Sequence, residues 1–258
     1  LFENEIQVEG HPWYINQDYN NHRDATYEEI LHLVHDYGIG IDGHNSFPGA
    51  MPEYQSEIRE AQKIALSNNL WGIDAERWIN ELIDENSLTQ EYLAALIDSY
   101  YGLCGAWTDS NTHGMWEIYV AKTRDEILTE DPIGAEIMNN KFFHPHLTYN
   151  ARIDSSFNGN FSLRFDSSKP YTNHSQYLKD ITLLGSNDIS VSINPLDNNI
   201  TGNQGINTVI FSGNSSEYII NISDNKASVI DKISDRDGIN ILQNIEKLEF
   251  KDQTIELN

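Results

Sequence analysis

Apolar residues recur at intervals of three and four through the first 150 residues, and in much shorter alternating or β-branched runs towards the C-terminus. The two periods predict helices first and strands afterwards. In the stretch 26–38, Ile30, Leu31, Leu33, Val34 and Tyr37 have helical spacing, Thr26 is placed to cap the start, and Gly38 to end the helix in a left-handed conformation. A second stretch, 87–102, carries Leu93, Leu96 and Ile97 between a Ser87-x-x-Gln90 capping box and Gly102. Weaker periodic runs predict further helices at about 52–67, 74–83, 121–130 and 132–140. The expected fold class is α+β: a mainly helical region over 1–150, an irregular connector over 151–174, and a β-rich domain of β-roll or β-sandwich type over 175–258.

The first helix also carries chemistry. Residues four apart stack on one helix face, so Glu28 and His32 project together, with Glu29 beside them and His35 one turn on. Carboxylate and imidazole four apart suit a divalent metal. The same Thr26-x-x-Glu29 spacing makes a capping box, and acidic groups in a first turn are favoured by the helix dipole, so both readings stand at this point. On the second helix Glu91 and Asp98 add two carboxylates, as metal ligands or as a solvated acidic face.

The pattern Glu28-Glu29-x-x-His32 resembles the His-Glu-x-x-His helix of zincin metallopeptidases, with Glu28 in the place of the first His. One zincin subgroup takes its third ligand from a Glu on a later helix, which Glu91 matches in type and order. The resemblance implies a divalent ion, zinc foremost, on Glu28, His32 and Glu91, with Glu29 as general base and a peptide or protein as substrate.

At the other end, the stretch 200–211 resembles a worn Gly-Gly-x-Gly-x-Asp repeat of calcium-binding β-rolls, with Asn203 replacing the second Gly and Asn207 the Asp. The segments Thr208-Val209-Ile210-Phe211-Ser212-Gly213, Tyr218-Ile219-Ile220, Asp235-Arg236-Asp237-Gly238-Ile239-Asn240-Ile241-Leu242 and Asn244-Ile245-Glu246-Lys247-Leu248-Glu249-Phe250 are similar to the terminal module of hemolysin-type (RTX) proteins. That likeness implies export by type I secretion and an extracellular or cell-surface location. It also implies calcium in the C-terminal domain, weakly held between Asn203 and Asp237 because Asn207 lacks the carboxylate charge. Together the two halves resemble secreted bacterial metallopeptidases. The alternative is a non-catalytic surface, adhesion or calcium-binding protein on a zincin-derived scaffold.

Charge narrows the partners. Across 258 residues, 40 acidic side chains face 16 basic ones, a formal charge of −24, which argues against nucleic acid and anionic membrane surfaces and favours cations. No apolar run reaches the roughly 18 residues of a membrane helix. The single cysteine, Cys104, forms no internal disulfide and reads as a small buried hydrophobe. His11, His22 and the His144-Pro145-His146 stretch read as surface or packing residues, and Trp71, Trp78, Trp107 and Trp116 as core. A start at Leu1 is expected to reflect processing or truncation, with an upstream part of the zincin-like region missing.

Overall fold

The computed structural model describes residues 26–40 (backbone only at Thr26 and Tyr27), 46–103, 105, 113–141 and 150–257. The chain divides into two compact units, Leu1–Leu147 and Thr148–Asn258. The described helices of five or more residues lie in the first unit and the named strands in the second, so the fold is α+β. The expectations for the Thr26 hydroxyl, His11, His22, Cys104, Trp107, His144 and His146 fall outside what is described.

The first unit comprises α1 (Thr26–Leu33) running into a π-helical segment (Val34–Ile39), α2 (Pro52–Ser67), α3 (Glu76–Glu85), α4 (Leu88–Tyr100), a 3-10 turn (Met115–Glu117), α5 (Arg124–Glu130) and α6 (Pro132–Glu136), which continues as a π turn over Ile137–Lys141. Local signals set several ends. Pro52 opens α2, where its missing N–H costs nothing. Thr123 and Glu126 form a reciprocal capping box on α5, and Gly102, at φ 64°, follows α4.

Helix α4 is the centre of this unit. Tyr92, Leu93, Ala95 and Leu96 are fully buried, and α4 packs against α1, α2, α3 and α5. Asp98 is buried with them, at 4% exposure, which rules out the solvated-face alternative at that position. A helix enclosed on all sides has no solvent stripe to give to charge. Its Tyr92 hydroxyl donates to Asp131 at 2.7 Å, and Tyr119 donates to the same carboxylate oxygen at 2.9 Å. The Ser87 hydroxyl makes no capping bond, so the box expected with Gln90 is not formed.

The second unit winds between two sheets. Strands β1 (Asn150–Ile153), β3 (Asp180–Leu183), β5 (Asn198–Thr201) and β9 (Ile239–Gln243) run parallel in one sheet. Strands β2 (Gly159–Ser162), β4 (Ile189–Ser192), β6 (Thr208–Ile210) and β10 (Lys247–Glu249) run parallel in the other. A hairpin of β7 (Tyr218–Ser223) and β8 (Lys226–Asp231) extends the first sheet, and β11 (Thr254–Glu256) closes the second. In-register pairing stacks apolar ladders: Ile181 on Ile200 on Leu242 in one sheet, and Phe161 on Val191 on Val209 on Leu248 in the other. These side chains form one buried core.

The connector expected over 151–174 is corrected here. Residues 150–153 and 159–162 are strands, and Thr172–Ser175 is a short helix, so the β-rich unit starts at Thr148 and not near residue 175. Each of these strands has four residues, and β1 and β2 bury one and two of them, too few for alternation to stand out among Ser and Asn.

Candidate metal centre

Helix α1 turns its polar row inward. Glu28 is 5% exposed and His35 fully buried, whereas Ile30, Leu33, Val34 and Tyr37 are 46–61% exposed. The apolar residues whose spacing predicts this helix therefore point mainly outward, with Leu31 only partly buried against the core. Burying a carboxylate is costly unless a cation or several donors meet it, so this orientation points to polar work.

Glu91, in the first turn of α4, faces that row. Glu28, His32 and Glu91 each offer one ligand atom, and the three atoms lie within 4.8 Å of one another. The His32 Nε2 is 3.6 Å from Glu28 Oε1 and 3.5 Å from Glu91 Oε1. Charge-assisted hydrogen bonds run at about 2.7–2.9 Å, so both gaps are too long for direct imidazolium–carboxylate bonding. Around a tetrahedral ion bound at about 2.0–2.1 Å, neighbouring ligand atoms stand about 3.3–3.4 Å apart. The group can hold a metal ion.

The remaining expected residues fall around this group. Glu29 is half-buried and is not among the three whose ligand atoms converge. His35 is held well below the ordinary imidazole pKa, first by burial and then by nearby His32, and is neutral at pH 7. The His32 Nδ1 is buried and meets no hydrogen-bond partner, whereas a metal-bound His ordinarily donates from its second nitrogen.

The helix also ends later than its sequence suggests. Gly38 does not terminate it; Gly40 does, at φ 79° and ψ 51°, with its N–H on the His35 carbonyl at 2.7 Å. The π segment carries more residues per turn than an α-helix, and π turns of this kind are frequent at functional sites. On it, Asp36 lies four residues beyond His32 and faces the side-chain amide of Gln90 on α4; only an amide nitrogen can meet a carboxylate there, and with the amide so turned it donates to Asp36 Oδ1 at 2.5 Å and Oδ2 at 3.0 Å. Neither was singled out in sequence as part of the site. The Glu28, His32, Asp36 row at steps of four was the available signal.

The chain matches no protein-family model, no curated protein and no solved structure.

In the β-rich unit, the positions expected to hold calcium are engaged by protein donors. Asp237 is fully buried and accepts from the Ser212 N–H at 2.7 Å, the Tyr218 hydroxyl at 2.5 Å and Arg164. The Asn207 amide donates to Asn203 Oδ1 at 2.9 Å and accepts from the Asn203 N–H at 2.7 Å. The Asn203 amide in turn donates to the carbonyls of Leu184 and Asn187 at 3.1 and 3.0 Å. Calcium needs these oxygens, and it needs charge. The residues at Asn203, Asn207 and Asp237 do not fit the ion.

Proposed function

We propose that this protein is a metal-dependent hydrolase acting on peptide bonds, with a divalent ion, zinc foremost, held between α1 and α4. The observation that carries the reading is the pair of 3.5–3.6 Å separations among Glu28, His32 and Glu91 on two packed helices. Three protein ligands leave a fourth position open. Zinc bound there supplies a water acidified towards neutral pH and a polarised carbonyl. Glu28 and Glu91 would offset two charges of the ion, His32 would bind it through Nε2, and Glu29, beside the row, would take the proton from the attacking water.

Export by type I secretion, to the medium or the cell surface, belongs to the same reading. Strands β1 to β6 alternate between the parallel parts of two sheets, and stacked positions are offset by 18 residues at Val191–Val209 and 19 at Ile181–Ile200, close to the length of two nine-residue roll repeats. A second reading, a non-catalytic surface protein on the same scaffold, is favoured by Glu29 standing outside the convergent group and by a ligand set of two carboxylates with one His.

Metal content and peptide hydrolysis of the parent, His32→Ala and Glu29→Gln separate the two. His32→Ala is expected to lose the ion, since two ligands compete poorly with water. Glu29→Gln is expected to keep the ion and lose about 10²- to 10⁴-fold in rate. Equal metal in the parent and His32→Ala ends the metal reading, and full activity in Glu29→Gln ends the assigned role of Glu29.

A further inference from the structure

Two elements supply the three ligands, so the site exists only while α1 and α4 keep their register. Ligating geometry tolerates displacements of about 0.5 Å, and hydrogen bonds beyond the ligands ordinarily add to packing in holding it. A further polar contact along the same seam is between Asp36, four residues after His32, and Gln90, the residue before Glu91. It lies about one helical turn, roughly 5 Å, from the ligands. Both groups are half-buried, where a carboxylate–amide bond is less exposed to competition from water.

We propose that Asp36 and Gln90 are a positioning pair that holds the Glu28–His32 row within ligating distance of Glu91. The inference depends on the metal-centre reading and deepens it. The contact of one amide nitrogen with both carboxylate oxygens, at 2.5 and 3.0 Å with the amide turned to donate, ties the π segment to α4. A carboxamide does this without adding positive charge, so the negative potential that draws a cation to Glu28 and Glu91 is left intact. A Lys at position 90 would hold Asp36 as well and repel the ion.

The test is zinc affinity, by competition with a chromophoric chelator, for the full chain and for Asp36→Ala, Asp36→Asn, Gln90→Ala and the double Ala variant, with circular dichroism reporting folding. Asp36→Ala and Gln90→Ala are each expected to weaken zinc binding about 10- to 100-fold, the usual effect of removing a group that orients a ligand. Asp36→Asn, whose amide oxygen still accepts from Gln90, is expected to stay close to the parent. The double variant is expected to be no weaker than the worse single one, because the two residues act as one contact. Gln90→Ala keeps the test open if Asp36→Ala does not fold. Parent-like affinity in both single Ala variants overturns the pair, as does simple additivity of their effects. Zinc binding that disappears in His32→Ala but is untouched by Asp36→Ala leaves the centre standing and removes this inference alone. A parent that binds no zinc removes both.

Discussion

Individual residues in the β-rich unit show how closely its coils stack. A Cβ at Gly202 would meet the Asn244 carbonyl oxygen at 1.8 Å and the Asn207 amide oxygen at 2.4 Å. The nearer atom is backbone and cannot swing away. Gly202→Ala is therefore expected to destabilise the unit by at least the about 1–3 kcal/mol of an overpacked core, measured as a lower denaturation midpoint with an unchanged m-value. Asn207, fully buried beside it, is satisfied through both ends of its amide. The same residue was legible in sequence as a departure from a calcium repeat; its partner Asn203 lies in the same turn, and Asn203 in turn reaches the Leu184 and Asn187 carbonyls of the turn before.

At the scale of the element, the turn between β8 and β9 is tied by charge. Arg236 donates to both oxygens of Asp231, at 2.6 and 2.7 Å, and to Glu217 at 2.7 Å. Burial alone raises the Asp231 pKa, but the Arg236 hydrogen bonds and the Ile233 N–H outweigh it and hold the carboxyl below its usual value. A depressed folded-state pKa makes the unfolded chain take up the proton first as pH falls. The contribution of this pair is thus complete above the ordinary Asp value of about 3.9 and is lost as pH falls through the depressed one. Arg236→Met is expected to cost towards the lower end of the about 3–5 kcal/mol of a broken buried pair, because Arg236 is partly exposed. Melting curves at pH 7 and pH 3 check this: the gap between parent and variant is expected to shrink at the lower pH, and a constant gap contradicts it.

On the scale of the whole molecule, the five tryptophans all precede residue 148, so indole fluorescence reports on the helical unit alone. A bound ion stabilises the unit that holds it, by about 2.7 kcal/mol at a hundred times its dissociation constant. Adding a chelator to metal-loaded protein is expected to lower the fluorescence-detected melting temperature. A fall in the sheet transition with no change in fluorescence would place the ion in the wrong unit. Net charge acts here too: at −24 the chain gains from any bound cation.

Helix positions and the split between helical and β-rich regions were set by local sequence. Period, Pro52, the Thr123–Glu126 box and Gly102 act within a turn of where they stand, so the expected helix at 52–67 matches α2, and 87–102 lies within two residues of α4 at each end. The ligand candidates Glu28, His32 and Glu91 were likewise legible, because spacing four on one helix and an acidic first turn on another are local facts. Tertiary structure decided what those faces meet. Ile30, Leu33 and Val34 have helical spacing and are apolar, yet α1 is turned so that Glu28 and His35 are buried, on the side where α4 carries Glu91. The π turn that moves the helix end from Gly38 to Gly40 and brings Asp36 to Gln90 comes from the same packing. The short strands at 150–153 and 159–162 are strands because β3 and β4 lie beside them: a four-residue segment has too few apolar positions to declare itself, and only the neighbouring coil supplies the hydrogen bonds that make it one.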